Sequence, residues 1–217
     1  MKKVLIAGGS GMIGSLVVGH CLSSEEVSEV RSLLRRPSGT QHPKLQESLI
    51  QDFPTYDGKL DLFSGIDTAF FCIGVYTGQV SAQQFKEITL EYAVQFATHL
   101  AAQSPHATLC LLSGMGADRT EKSKTAFAKY KGMAENQIAT LGLTFYSFRP
   151  AYIYPVTPRK EPNAMYAISR ALYPLIKLFG EGASIQSTEL AEAMFTVGMQ
   201  GADQEILENK EILAVLG

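Results

Sequence analysis

Residues 4–14 read V-L-I-A-G-G-S-G-M-I-G, and no other stretch limits so sharply what the chain can fold into. A short apolar run stops in four glycines within seven positions, Gly8, Gly9, Gly11 and Gly14, and an apolar helical pattern begins at Met12. Strand, glycine turn and helix start in direct succession form a cradle for an anion such as a pyrophosphate. Glycine is needed there because φ can be positive and no Cβ intrudes where backbone and phosphate meet. The first helical turn aims unpaired N–H groups and a partial positive charge at the same place. Two spacings overlap: Gly9, Gly11 and Gly14 satisfy G-x-G-x-x-G, while Gly8, Gly11 and Gly14 satisfy G-x-x-G-x-x-G.

Apolar strand-like runs alternate with helical patterns along the rest of the chain, which predicts parallel βαβ units. Strands are expected at 3–7, 29–34, 45–50, 68–72, 108–112 and 144–148, and helices at 12–23, 81–103 and 125–141. The runs A-F-F-C-I and T-L-C-L-L are apolar throughout, as in strands covered on both faces. In the long helix Phe85, Ile88, Tyr92 and Phe96 form one apolar stripe, read as core. Gly142 reads as the residue just past a helix end. Residues 155–162, with three prolines, are the expected insertion, followed by an apolar helix over 165–179. A strand at 184–187 then leads into a helix over 188–199, capped near Ser187 or Thr188. The expectation is an α/β fold: one doubly wound parallel sheet over 1–217, with a small substrate-side extension mainly at 150–200.

The 217 residues suffice for one large core, and a net charge of −2 gives no bias toward nucleic acid or an anionic membrane. No run approaches the roughly 18 apolar residues of a membrane span, and the apolar run after Lys3 is too short for a secretory signal. Three cysteines in apolar settings (Cys21, Cys72, Cys110) suit reduced thiols, so a cytoplasmic location is expected. The four histidines show no metal-ligand spacing, and no metal is expected.

Which dinucleotide is meant is written at the end of the second strand. In an NAD-specific Rossmann unit a carboxylate about 20 residues past the glycines takes the ribose hydroxyls. Here that end carries Arg35-Arg36-Pro37 instead. A carboxylate repels a 2′-phosphate; a guanidinium pairs with it, so NADP(H) is the expected cofactor. Asp52-Phe53 after the third strand is a candidate adenine contact. Cys72-Ile73-Gly74 falls on the carboxyl edge, where open α/β sheets bind ligands; Cys72 itself reads as a small buried hydrophobe.

Together G-G-S-G-M-I-G, L-L-R-R-P, F-C-I-G, L-L-S-G-M-G-A-D, Y-K-G-M-A-E and S-F-R-P occur in an order that resembles the atypical and extended short-chain dehydrogenase/reductases. The likeness is nearest to the small branch of NADPH-binding Tat-interacting-protein-like oxidoreductases and NAD-dependent epimerase-like relatives. It covers about residues 3–153 and continues more weakly through S-I-Q-S-T-E-L-A-E-A. The resemblance implies cofactor contacts from Gly8, Ser10, Gly11, Met12, Ile13, Arg35, Arg36, Asp52, Phe53, Cys72, Ile73 and Gly74. It implies that Ser113 polarises a substrate carbonyl and that Lys131 binds the nicotinamide ribose. Pro150 and residues after it, Tyr152 among them, would face the nicotinamide.

One position breaks the pattern. The family's proton donor is a tyrosine four residues before the lysine, and four residues before Lys131 stands Phe127. Positions i and i+4 share a helix face, so Tyr130, about 100° around the helix from Lys131, is no replacement. Three readings stay open. Another tyrosine (Tyr76, Tyr152 or Tyr154) donates the proton. The acceptor takes its proton from water. Or chemistry is lost, and the chain senses NADP(H) for a protein partner. The expected function is an NADPH-dependent oxidoreductase acting on a small carbonyl or similar acceptor. The alternatives are the sensing module and, more weakly, an epimerase- or isomerase-like enzyme that retains the cofactor.

Overall fold

The structure, a computed structural model, describes residues 1–157, 180 and 182–217. Strands β1 (Lys2–Ala7), β2 (Val27–Leu34), β3 (Leu45–Leu49), β4 (Thr68–Phe71), β5 (Thr108–Leu112) and β6 (Thr144–Arg149) lie in one sheet. Strands β7 (Tyr152–Tyr154) and β8 (Ser184–Gln186) pair with each other in a separate parallel ribbon, and β9 (Ile206–Glu208) joins the main sheet beside β6. The main order is β3-β2-β1-β4-β5-β6-β9, parallel throughout, which is the expected doubly wound α/β sheet.

Helices α1 (Met12–Ser23), α2 (Ala82–Lys86), α3 (Tyr92–Gln103), α4 (Ala126–Ala139), α5 (Ser187–Gln200) and α6 (Asn209–Ala214) flank it. Alternate strand residues point to opposite faces, so each face has its own core. Leu5, Ala7, Ala69, Phe71, Leu109 and Leu111 pack under Phe96 and Leu100 of α3 and Ala134 and Ile138 of α4. Val4, Ile6, Phe70 and Cys110 pack under Val17 and Cys21 of α1, Leu190, Met194 and Val197 of α5, and Ile212 of α6. This two-sided burial is why β1, β4 and β5 read as unbroken apolar runs.

The differences from the sequence reading are local. The helix expected over 81–103 is divided by a π-helical turn, Glu87–Glu91, between α2 and α3. Helix α4 ends at Ala139, and Gly142, at φ +78°, sits in the turn before β6 and not directly at the helix end. Helix α5 starts at Ser187 and is capped by Gln186, whose backbone N–H donates to Glu189 Oε2 at 2.8 Å. Strand β9 and helix α6 were not expected, since three residues of strand give too short a pattern to read. The helix expected over 165–179 lies outside the described residues.

Helix α4 packs very closely on the loop after β5. A Cβ at Gly132 would stand 1.9 Å from the Asp118 carbonyl oxygen, whereas one at Gly19 on α1 would meet nothing. Gly132→Ala is therefore expected to lower stability by about 1–3 kcal/mol, the usual effect of overpacking. Gly19→Ala is expected to raise it by roughly 0.4–1 kcal/mol, since alanine is the better helix former. Denaturant unfolding of the two variants checks the pair; equal effects would contradict the close contact.

Candidate active site

From β1 the chain moves outward to β2 and β3, then crosses back to β4 on the other side of β1. The carboxyl ends of β1 and β4 thus part into a crevice at the switch point. The turn after β1 enters it in a conformation open only to glycine. Gly8 has φ +86°, and a Cβ there would lie 2.9 Å from the Cys72 carbonyl carbon. A Cβ at Gly14 would lie 2.2 Å from the Gly8 carbonyl oxygen, and one at Gly9 would lie 2.3 Å from Ser32 Oγ. Gly11 caps α1 and donates its N–H to the Gly8 carbonyl at 2.9 Å. Close approach at Gly8 and Gly14, joined through Gly11, gives the 8-11-14 spacing its physical role. The first-turn N–H groups of α1 open toward Ser10 and Gly11, both exposed.

The crevice continues as a cleft with two lobes, of about 560 and 280 Å³, which share Gly11, Cys72, Ile73, Gly74 and Val75. The smaller lobe is lined by Gly8, Ser10, Arg35, Gln51, Phe53, Ile88 and Tyr92, among others. Two of the residues expected to contact the cofactor, Arg36 and Asp52, line neither lobe. Arg36 follows Arg35 in the bend past the end of β2 and is exposed outside the lobe lining. Asp52 is turned aside: its carboxylate accepts from Thr55 Oγ1 at 2.5 Å, and its own N–H is held by Asp57 Oδ1 at 2.9 Å. Gln51 and Phe53 line the lobe in its place. The apolar stripe is corrected too. Phe85 and Phe96 are core, but the π-helical turn leaves Ile88 and Tyr92 half-buried in the lobe wall. Tyr92 stacks on Phe53 with ring centres 5.6 Å apart. A π-turn is a known mark of functional helices, but it leaves no signature in a single sequence.

The larger lobe is lined by Met12, Ile13, Tyr76, Ser113, Met115, Phe127, Lys131, Pro150 and Tyr152, among others. Of the three candidate tyrosines, Tyr76 and Tyr152 are here and Tyr154 is not. The Pro150–Tyr152 segment is pinned by Asn209, which accepts from the Ala151 N–H at 2.8 Å and donates to the Ser184 carbonyl at 2.9 Å. Helix α5, expected on the substrate side, instead covers the sheet beside α1.

Lys131 is 6% exposed and donates from Nζ to the Leu112 carbonyl at 2.8 Å. Burial pulls its pKa down to about 8, against the pull of Glu135, one helical turn further on, which favours the charged form. Phe127 shares the lysine's helix face and packs on Gly114, where a Cβ would meet its Cζ at 2.5 Å. Burial pushes the Cys72 thiol up to about 12, as suits a small hydrophobe and not a nucleophile.

Ser113 lines the lobe, but its hydroxyl proton is committed. It donates to Glu135 Oε1 at 2.6 Å. That carboxylate is completely buried and accepts four further hydrogen bonds. They come from Ser147 Oγ at 2.8 Å, Arg149 Nε at 3.0 Å and Nη2 at 2.5 Å, and Arg119 Nε at 3.0 Å. Burial alone would raise the Glu135 pKa, but the bonds from Arg149, Ser113 and Ser147 outweigh it and hold the carboxyl below its ordinary range. Arg119 and Arg149 lead outward to Glu205 at 2.6 Å and Glu208 at 3.0 Å. The donor role expected of Ser113 toward a carbonyl is thus replaced by a donation inward. Sequence reasoning missed this hub, although the i+4 spacing of Lys131 and Glu135 put both on one helix face.

Among the described residues no group of His, Cys, Asp or Glu is placed to hold a metal, and no helix is long and apolar enough to cross a membrane. No family model matches the chain. A curated protein of Lodderomyces elongisporus, "Protein FMP52, mitochondrial", is 28% identical over 150 residues, 64% of this chain and 61% of that protein. The chain therefore matches under two thirds of that relative's length. Among solved structures, the Bordetella bronchiseptica enzyme WbmF in complex with NAD+ superposes with a TM-score of 0.70 at 14% identity, covering 98% of this chain and 76% of that one. A short chain dehydrogenase from Burkholderia cenocepacia in complex with NADP gives 0.70 at 14% identity, covering 99% and 92%. The fold is that of the NAD(P)-binding short-chain dehydrogenase and epimerase proteins.

Glu135→Gln leaves two guanidinium groups facing a neutral amide, and the expected loss is about 3–5 kcal/mol, as for other broken buried pairs. A carboxyl whose folded pKa lies below the unfolded value of about 4.3 adds stability above that value and gives it up as pH falls through the folded pKa. Wild-type melting temperature should therefore drop below about pH 4, with a flatter acid limb in the variant. Parallel acid limbs would contradict this role.

Proposed function

We propose that this chain is an NADP(H)-dependent oxidoreductase of the atypical short-chain dehydrogenase/reductase type, acting on a small carbonyl or similar acceptor. The observation that carries the reading is one continuous cleft over the carboxyl edge, with a glycine cradle midway, Arg35 at one end and Lys131 at the other. The cradle fits the group: a Cβ at Gly8 or Gly14 would collide with backbone. Gly8, Ser10, Gly11, Met12 and Ile13 would hold the bridging phosphates. Arg35 would pair with the 2′-phosphate, and Phe53, Ile88 and Tyr92 would flank the adenine. Lys131 would bind the nicotinamide ribose, with Cys72, Ile73, Gly74, Pro150 and Tyr152 along the walls. Bound there, the reduced coenzyme supplies a hydride; the protein orients the acceptor and excludes water. The three free cysteines suit a reducing compartment, which supports a cytoplasmic location.

A second reading, a catalytically silent NADP(H) sensor for a protein partner, draws on two facts. Phe127 holds the proton donor's place, and the Ser113 O–H is hydrogen-bonded to Glu135. Such a sensor works only if the partner binds the loaded and empty forms differently.

Thermal shift with NADP, NADPH, NAD and NADH tests the cofactor, since stabilisation grows with ligand excess over Kd. One charge-assisted contact contributes roughly 1.5–3 kcal/mol, so NADP(H) is expected to bind at least about tenfold more tightly than NAD(H). Arg35→Ser should shrink the gap. Equal shifts for all four would overturn the assignment. NADPH oxidation over a panel of acceptors then separates enzyme from sensor; no turnover, together with NADPH-dependent capture of a partner, would favour the sensor.

A further inference from the structure

The geometry points to a planar conjugated acceptor of the quinone type as the substrate of the larger lobe. This rests on the oxidoreductase reading above and names its substrate class. The wall of the lobe carries it. Val75, Tyr76, Met115, Phe127 and Tyr152 supply aromatic rings, a thioether and a branched aliphatic group, and Lys131 is the one charged side chain among the described lining residues. Rings and thioethers pack well on flat π-systems. Among the described lining residues there is no arginine and no second cation to pair with a carboxylate or phosphate on the acceptor.

The hydrogen-bond polarity of the lobe agrees. A carbonyl reductase must protonate the alkoxide that hydride transfer creates, an anion about as basic as hydroxide, whose parent water has a pKa near 15.7. The residue four before Lys131 is a phenyl ring, and Ser113 sends its proton to a carboxylate kept ionised by two guanidinium groups. Toward the cleft, Ser113 Oγ presents lone pairs only. The phenols that do line the lobe, Tyr76 and Tyr152, do not stand one helical turn before Lys131, and a quinone requires neither. Its reduced monoanion is a phenolate, with a pKa near 10 like that of tyrosine, and bulk water can protonate it. The electrons balance: the C4–H bond of the dihydronicotinamide breaks, and hydride forms an O–H bond at one quinone oxygen. The coenzyme is oxidised by two electrons, and the quinone is reduced to the hydroquinone monoanion. One proton from water completes the hydroquinone.

The test uses 2,3-dimethyl-1,4-naphthoquinone, whose methyl groups block addition of the cleft thiol Cys72, and hexanal as the aliphatic carbonyl. Equilibrium dialysis of the quinone against NADP+-loaded protein reads binding without turnover. Saturable binding is expected, weakened about tenfold in Phe127→Ala, the upper range for one aromatic contact. In NADPH oxidation the quinone should exceed hexanal at least about tenfold in kcat/KM. Phe127→Tyr, which restores a phenol one turn before Lys131, should raise hexanal turnover about a hundredfold, the lower range for general acid catalysis. Wild-type hexanal turnover equal to that of the quinone, and lost in Tyr76→Phe or Tyr152→Phe, would overturn the proposal while leaving the oxidoreductase reading intact. So would absence of quinone binding in a protein that still reduces hexanal. Quinone binding with no NADPH oxidation by any acceptor would overturn the oxidoreductase reading, and the quinone assignment with it.

Discussion

Backbone meets backbone where the first turn of the sheet crosses the end of the fourth strand. Gly8 lies so near the Cys72 carbonyl, and Gly14 so near the Gly8 carbonyl, that a single methyl group at either site would collide with main chain. This contact seats the start of α1 directly over the gap between β1 and β4. A helix start elsewhere would leave its free N–H groups facing bulk water. Set here, at Gly11, they lie where the two lobes meet. The glycine contact is thus what sets a helix start over the crevice of a parallel sheet.

A second organising element lies behind the cleft wall. Glu135 gathers Ser113, Ser147, Arg119 and Arg149 onto one buried carboxylate, tying α4 to β5, β6 and the loop after β5. One face of α4 then carries Phe127 toward the cleft, Lys131 against its wall and Glu135 behind it. Two guanidinium groups face one buried carboxylate, and Glu205 and Glu208 at the rim offset the excess positive charge. The same network that holds the wall in place takes the serine proton away from the cleft. That links the stability of the β5–β6 side of the sheet to the hydrogen bonding the lobe offers.

The fold was largely legible because burial on both faces writes itself into β1, β4 and β5 as unbroken apolar runs. The glycine cradle was legible because only one residue type fits it. Arg35 was legible from its place at a strand end; Arg36 and Asp52 were not, because neighbours in sequence part company where the chain turns, and Asp57 draws the Asp52 amide aside. Ile88 and Tyr92 carried helical spacing that reads as core, and a one-residue widening of the helix moved them into the cleft wall. The Glu135 hub joins residues up to 73 positions from it, since Arg149 binds both Glu135 and Glu208. No local pattern in a single chain reveals such a meeting, although the i+4 step from Lys131 marked the face.

The most direct measurement is a crystal structure of the protein grown with saturating NADPH. The account predicts bridging phosphate oxygens about 2.7–3.2 Å from the N–H groups of Met12 and Ile13. It also predicts the 2′-phosphate against Arg35 and the nicotinamide ribose at Lys131. A coenzyme bound elsewhere, or a cleft in which the first turn of α1 meets only solvent at saturating ligand, would contradict it.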